Sequence, residues 1–228
     1  MYSFAQRADA RVVDEPLYGH YLRVSGATHP GRDQVISETN CDGDAVMREL
    51  MALSCDIPEI LFIKHMAHHL VQLDTQFLLQ SRNVFLIRDP RDMLPSLTVQ
   101  VPHAGLADTG LQRQWELLLE LRSQGQQPVV LDSRELLLNP TNVLQGMCTQ
   151  LGIDFTTSML HWQAGPRPED GVWAPHWYHA VHQSTGFAEY RPKDGFPDEL
   201  EPLLDECQPW YDKLFEQAIL AAEPESRH

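Results

Sequence analysis

Phe85-Leu-Ile-Arg-Asp-Pro-Arg-Asp-Met-Leu-Pro-Ser96 is the stretch from which the rest of the chain is read. A short, nearly continuous apolar run ends at Arg88. Pro90 then opens a turn, and a helix follows that carries Ser96. In an open parallel sheet, ligands bind beyond the carboxyl ends of the strands. A guanidinium at such an end, a helix N-terminus behind it and a hydroxyl on the first helical turns together form a compact phosphate site. The same residues fit a plainer arrangement, in which Arg88 or Arg91 pairs with Asp89 or Asp92 to fix the strand-to-helix corner. The residues alone leave both open.

Outward from this segment, the pattern repeats. Strands are expected at 11–14 (RVVD), 59–65 (EILFIKH), 83–89 (NVFLIRD) and 128–133 (PVVLDS). Each is short and apolar almost throughout, which suits strands buried on both faces of a parallel sheet. Helical periodicity lies between them, at 44–53, 68–77, 93–99, 108–124 and 140–151. Alternation of this kind implies βαβ units and an α/β fold with a mainly parallel sheet. Residues 151–174 read as a loop region. A last helix is expected from 197 to 222, its apolar face formed by Leu200, Leu203, Leu204, Cys207, Tyr211, Leu214 and Phe215, with a kink at Pro209. The chain is expected to form one domain over 1–228, with 154–196 as an irregular cap.

Composition narrows the function classes. With 32 acidic against 17 basic residues, the net charge is −15. That argues against a broad nucleic-acid surface and against anchoring on anionic membranes. A small anionic ligand is still compatible, because it needs only a few local Arg residues and backbone N–H groups. The acid gathers at 194–212 and 221–228, read as a solvated helix face and a frayed end. No run approaches the ~20 apolar residues of a membrane span. The N-terminus has no apolar segment behind a basic start, so no signal peptide is expected. Cys41, Cys55, Cys148 and Cys207 form no CxxC pair, and a reducing cytoplasm is the expected location.

The segment from Phe85 to Ser96 resembles the sulfotransferases. In that family a strand ends in Arg, and a Ser follows eight residues later on the next helix. Arg88 and Ser96 have that spacing, with Arg-Asp-Pro-Arg-Asp between. Val129-Val-Leu-Asp-Ser-Arg-Glu-Leu-Leu-Leu-Asn-Pro-Thr-Asn-Val-Leu144, followed by Cys148-Thr-Gln-Leu-Gly-Ile153, is similar to the family's next strand, turn and helix. The resemblance implies a three-layer P-loop-type α/β/α fold. It implies 3′-phosphoadenosine-5′-phosphosulfate as co-substrate, with Arg88 and Ser96 on its 3′-phosphate, and no metal. It also implies a small-molecule hydroxyl or amine as acceptor.

Ser3 to Pro16 looks like the end of the family's first helix, a turn and a strand with an acidic end. In several branches a Glu at this place removes the acceptor's proton, which makes Glu15 the candidate base, with Asp14 beside it. Independently of the resemblance, two adjacent carboxylates at a strand end can differ in environment. One in an apolar pocket has its pKa raised toward the working range of a base. Solvated turn residues are the alternative. Other branches use a His in a Lys-x-His arrangement. Here His65 follows Lys64 directly, and both are candidates, with Lys64 neutralising the bridging oxygen as the sulfuryl group leaves. The family's donor-closing loop usually reads Arg-Lys-Gly. At the corresponding place this chain has Tyr190-Arg-Pro-Lys193, so Arg191 and Lys193 are the donor-binding candidates.

Two histidine groups invite a metal reading. His65, His68 and His69 share one helical face, and His176, His179 and His182 repeat at three. Neither has an acidic or Cys partner at motif spacing, and packed histidines near an anionic pocket are the competing account. Residues 173–187, WAPHWYHAVHQSTGF, mix aromatic and polar side chains and suit either a pocket wall or a core patch.

The family's phosphate-binding loop, between its first strand and first helix, would precede Met1. Without that strand, backbone edges are expected to be unpaired where a sheet should continue. The expectation is that the natural protein is longer; the other reading is a member that no longer binds donor well. Beside sulfuryl transfer stand a kinase-like nucleotide phosphotransferase and a non-catalytic nucleotide-binding or scaffold protein. The Arg-to-Ser spacing favours the sulfotransferase, since a nucleoside triphosphate has no 3′-phosphate.

Overall fold

The computed structural model describes residues 1–54, 60–193 and 195–221. Cys55, Glu59, Asp194 and the acidic end at 222–228 lie outside these. In chain order the elements are β1 (Ala10–Asp14), α1 (Tyr18–Ser25), α2 (Arg32–Glu38), α3 (Gly43–Ser54) and β2 (Ile60–Lys64). Then come β3 (Val84–Ile87), α4 (Pro90–Gln100), α5 (Leu106–Thr109), α6 (Leu111–Ser123), β4 (Val129–Asp132), α7 (Ser133–Leu138) and α8 (Pro140–Leu151). The last are α9 (Ala174–Trp177), α10 (His179–His182), α11 (Glu201–Phe215) and β5 (Ala218–Ile219). They form two compact units, Met1–Ser81 with Ser158–Gly186 and Arg82–Thr157 with Phe187–His228.

In the first unit, β1 and β2 run parallel, in a register that sets Val12 against Phe62 and Asp14 against Lys64. Parallel neighbours need a crossover, and α1 to α3 supply it. The valines and isoleucines of these strands favour the pleated backbone. Phe4 stacks on Phe62 with ring centroids 4.2 Å apart. Tyr18, Tyr21, Leu22, Val35 and Trp173 form a buried cluster. Leu22 is fully enclosed, which stabilises the unit by ~1.5–3 kcal/mol relative to an exposed side chain.

In the second unit, β4 lies between β3 and β5, all parallel. Every residue of β4 is buried. Asp89 caps α4 by accepting from the Arg91 backbone N–H, and Pro90 occupies the first helical position, where it costs no hydrogen bond. Asp132 closes β4 and caps α7, accepting from the N–H groups of Arg134 and Glu135. Its other oxygen accepts from the Tyr211 hydroxyl of α11 at 3.1 Å.

The α/β class and the parallel pairing agree with the sequence, and several details differ. The described strands form two parallel sheets rather than one; among the described residues, β2 and β3 each pair on one side only. β3 is not buried on both faces, since Leu86 is 55% exposed between buried Phe85 and Ile87. No helix spans 68–77, because Gln72 has φ +46°, a left-handed backbone that stops i to i−4 bonding. Short 3-10 turns at Ala67–His69 and Gln76–Gln80 replace it. Similarly, Gly110 at φ +71° divides α5 from α6, and the last helix ends at Phe215, so that the chain returns to the sheet as β5. α1 and α2 form where the sequence analysis assigned no element. Among the described residues, no helix is long and apolar enough to cross a membrane.

Candidate functional site

The first unit brings Asp14, Glu15, Lys64 and Tyr178 together. β1 and β2 are parallel neighbours, so their carboxyl ends coincide, and the register places Lys64 opposite Asp14. Glu15 follows at once, just before Pro16, with φ +36°. A proline restricts the residue before it, and a non-glycine residue in this region stores about 1–3 kcal/mol of strain. That conformation turns the chain sharply out of the strand and into α1.

The Lys64 ammonium lies 2.5 Å from Glu15 Oε1, 3.3 Å from Asp14 Oδ1 and 2.6 Å from the Tyr178 hydroxyl. An ammonium has three donors, and these three partners engage all of them. The Tyr178 hydroxyl accepts from Lys64 and donates into the Asp14 carboxylate, 2.7 Å from each oxygen. It also lies 3.2 Å from Glu15 Oε1. The Gly171 N–H donates to Asp14 Oδ2 at 3.3 Å. Glu15 Oε2 accepts no hydrogen bond among the described residues and faces His69 Nδ1 at 4.0 Å.

Burial sets the electrostatics. The Asp14 side chain is 0% exposed and that of Glu15 10%. Desolvation pushes the Glu15 pKa above the usual carboxylate value, and the Asp14 charge adds to that. Lys64 and the Tyr178 hydroxyl pull it partly back. For Lys64, burial alone would favour the neutral amine. The Glu15 and then the Asp14 carboxylate more than offset this, and its pKa ends up raised. Burial, followed by the same two carboxylates, keeps the Tyr178 phenol protonated far above its ordinary range. Two carboxylates therefore share one ammonium and one phenol.

His69 is enclosed and stacks on Tyr18 and Tyr21, with centroids 4.9 and 4.8 Å away. Burial, then the neighbouring histidines, hold its pKa well below the ordinary value. It meets Glu15 as a neutral ring. His65 stands apart from this cluster. Its ring packs 5.7 Å from Phe77 and burial pushes its pKa down to about 4, so it is a weak base. His182 bonds Asp170 at 3.0 Å. No group of three or more His, Cys, Asp or Glu side chains among the described residues is placed to hold a metal ion.

The remaining candidates lie in the second unit. Arg88 follows the carboxyl end of β3 and is exposed, with no ion pair among the described residues. Asp89 is committed to the α4 cap, and Arg91 reaches Glu201 at 3.8 Å, so the Arg–Asp corner pairing is not formed. Ser96 is exposed on α4, its hydroxyl donating to the Met93 carbonyl at 2.8 Å. Arg191 is exposed and 3.8 Å from Glu189. Lys193 donates to the Asp92 carbonyl at 2.8 Å. With Arg91, Asp92, Gly195 and Phe196 it lines a cavity of about 220 Å³. That is below the roughly 300–1,000 Å³ of small-molecule sites, and neither Arg88 nor Ser96 lines it.

Tyr178 was not singled out in the sequence. It lies 164 residues from Asp14, at the junction of two four-residue helices. Its only signal was the mixed aromatic and polar character of 173–187.

Parallel strands with polar groups gathered at a carboxyl end are the mark of a ligand-binding α/β domain. The chain belongs to the sulfotransferase domain family, whose family model matches residues 1–218. Two proteins of Arabidopsis thaliana are similar to it. Branched-chain-amino-acid aminotransferase-like protein 1 is 40% identical over 217 residues, covering 94% of this chain and 39% of that protein. Branched-chain-amino-acid aminotransferase-like protein 2 is 36% identical over 216 residues, covering 94% and 38%. The chain thus spans about two fifths of the length of these curated relatives. Among solved structures, a sulfotransferase domain from the curacin biosynthetic pathway is similar at 15% identity and a TM-score of 0.43, covering 84% of this chain and 78% of that one.

Proposed function

We propose that the chain transfers a sulfuryl group from 3′-phosphoadenosine-5′-phosphosulfate to a hydroxyl or amine of a small molecule, with Glu15 as the base. The observation that carries this reading is Glu15 itself. It is a carboxylate buried at a strand end, held in a strained backbone, its pKa raised by burial and its charge shared with Lys64. Raising a carboxylate toward neutrality is what general-base work asks of it. Membership of the sulfotransferase domain family supports the reaction class.

In the proposed step the acceptor gives its proton to Glu15. Its heteroatom bonds to sulfur, and the bond from sulfur to the bridging phosphate oxygen breaks. The electron pair leaves with 3′-phosphoadenosine-5′-phosphate. All three donors of Lys64 are engaged before this happens. Protonation of Glu15 cancels the charge that holds Lys64 most closely, since charge-assisted bonds are roughly twice as strong as neutral ones. One donor is then released toward the leaving oxygen, where a positive charge counts most. Arg88 and Ser96 are assigned to the donor's 3′-phosphate. An exposed guanidinium with no ion pair among the described residues and an exposed hydroxyl on the following helix suit that anion. Arg191 and Lys193, both exposed, are assigned to the donor's closing loop.

The lysines of this chain do not favour the aminotransfer chemistry that the names of the plant relatives suggest. A Schiff-base lysine acts as the free amine, whereas Lys64 is held as the ammonium, and Lys193 and Lys213 are exposed.

The test is calorimetry of 3′-phosphoadenosine-5′-phosphate, with Arg88→Ala as control and ATP as competitor. Assays with the sulfate donor and a panel of hydroxyl and amine acceptors run alongside. Binding that Arg88→Ala abolishes and ATP does not displace supports the reading. Absence of binding, or equal competition by ATP, overturns it.

A further inference from the structure

We infer that the Tyr178 hydroxyl is a built-in stand-in for the acceptor's hydroxyl. The acceptor enters by displacing it, and the site therefore selects hydroxyl groups over amines. This rests on the reading of Asp14, Glu15 and Lys64 as the transfer site.

The argument begins with what Tyr178 does there. Its hydroxyl simultaneously accepts from Lys64 at 2.6 Å and donates to the Asp14 oxygens at 2.7 Å, 3.2 Å from Glu15. An acceptor hydroxyl here would find carboxylates for its proton, the proposed base Glu15 among them, and an ammonium that must leave its lone pair before transfer. The group that fills this position must be donor and acceptor at once. A hydroxyl is both, whereas an alkylammonium donates only and offers no lone pair to Lys64. The site as built thus matches an alcohol or phenol and rejects a protonated amine.

Tyr178 fills the position without reacting. Burial and the two carboxylates hold its phenol protonated, so it bonds as a neutral hydroxyl. On one side the segment that carries it is tied by hydrogen bonds of His182, to Asp170 at 3.0 Å and from the Gly165 N–H at 2.7 Å, rather than by buried side chains. α10, which begins at His179, buries none of its residues, while Trp173 and Ala174 on the other side are buried and serve as the anchor. Outward movement about that anchor would carry Tyr178 away and leave Lys64 and both carboxylates facing a vacancy shaped for a hydroxyl. Trp173, edge-on to Tyr18 at 5.2 Å, would remain as its wall.

The experiment uses 4-methylphenol, which is the tyrosine side chain free in solution. Its binding is measured by calorimetry without any sulfate donor, beside toluene and benzylamine, on the wild-type protein, Tyr178→Ala and Tyr178→Phe. Tyr178→Ala is expected to bind 4-methylphenol at least tenfold more tightly than wild type, and more tightly than either other probe. Tyr178→Phe fills the same space but loses the hydrogen bonds to charged groups. Its plug is weaker, and about tenfold tighter binding than wild type is expected. It also serves if Tyr178→Ala does not fold. Equal binding of 4-methylphenol and toluene, preference for benzylamine, or no gain in whichever variant folds overturns the inference. Because no donor is present, such a failure leaves the transfer reading to its own test. Conversely, probe binding without donor binding keeps the hydroxyl site and removes the transfer reading.

Discussion

Lys64 and Glu15 come from the ends of adjacent parallel strands, and the ammonium lies 2.5 Å from Glu15 Oε1. The strand register alone brings Lys64 level with Asp14. The left-handed turn at Glu15 then swings the second carboxylate onto the same ammonium. A lysine that faces two carboxylates in a buried place neutralises one of them, and the remaining charge is what a base requires.

Replacing Glu15 by Gln keeps its size and removes its basicity. Donor-dependent transfer is expected to fall by about 10²–10⁴-fold, the usual contribution of a positioned base. Far-ultraviolet circular dichroism should be unchanged. Activity within a few-fold of wild type would move the base to another group.

The raised pKa of Glu15 fixes a pH dependence. The base works only when ionised, so activity is expected to fall with decreasing pH through a value above the ordinary 4.5. Lys64 lowers that value, so Lys64→Met should carry the acid limb of the profile to still higher pH. Stability runs the other way. The folded state holds the Glu15 proton more tightly than the unfolded state, so this contribution is complete below about 4.5 and is lost as pH rises through the folded pKa. Denaturant titrations across that window should show the slope in wild type and a shallower one in Glu15→Gln.

Gly171 touches the site through its N–H to Asp14, and a Cβ there would meet the Trp173 ring at 2.2 Å. Gly171→Ala is expected to cost about 1–3 kcal/mol by overpacking. It should also lower transfer activity by displacing the Asp14 partner. Urea unfolding measures the first effect, and an unchanged midpoint would mean that the ring can step aside.

In the second unit, Asp132 satisfies two helix N–H groups and the Tyr211 hydroxyl from a fully buried position. Asp132→Ala removes the cap and leaves the phenol unpaired. A loss of about 2 kcal/mol or more is expected, read from the same kind of unfolding curve. Tyr211→Phe should cost less, because the cap survives.

The strands β1 to β4 were legible because each is a short run of Val, Ile, Leu or Phe ending in a charged residue. Pro140 and Gly152 bounded α8 as residues of their kind do. Glu15, Lys64 and Arg88 were nameable as candidates because they lie at or just after strand ends, and Ser96 because it follows Arg88 by eight residues in a segment that resembles the sulfotransferases. What periodicity could not show was where the backbone turns left-handed. Gln72 ended an expected helix, and Glu15 redirected a carboxylate. β5 was hidden because Ala218–Ile219 is only two residues long in a stretch of helix-favouring composition. Tyr178 was hidden for a different reason. Its role depends on a contact across 164 residues, and nothing in local spacing encodes that.

The first unit is discontinuous, made of Met1–Ser81 and Ser158–Gly186, with the whole of 82–157 synthesised in between. On the ribosome, β1 and β2 emerge before 82–157, yet Tyr178, Trp173 and Gly171 arrive only after that stretch is made. Until then Asp14, Glu15 and Lys64 lack the partners that enclose them. Contacts of such high sequence separation form slowly, because loop closure must precede them. The nascent chain therefore carries an acidic, half-assembled strand end while the intervening stretch is made. A premature stop before 158 would yield a product without the second segment, in which Asp14 and Lys64 lack Gly171 and Tyr178.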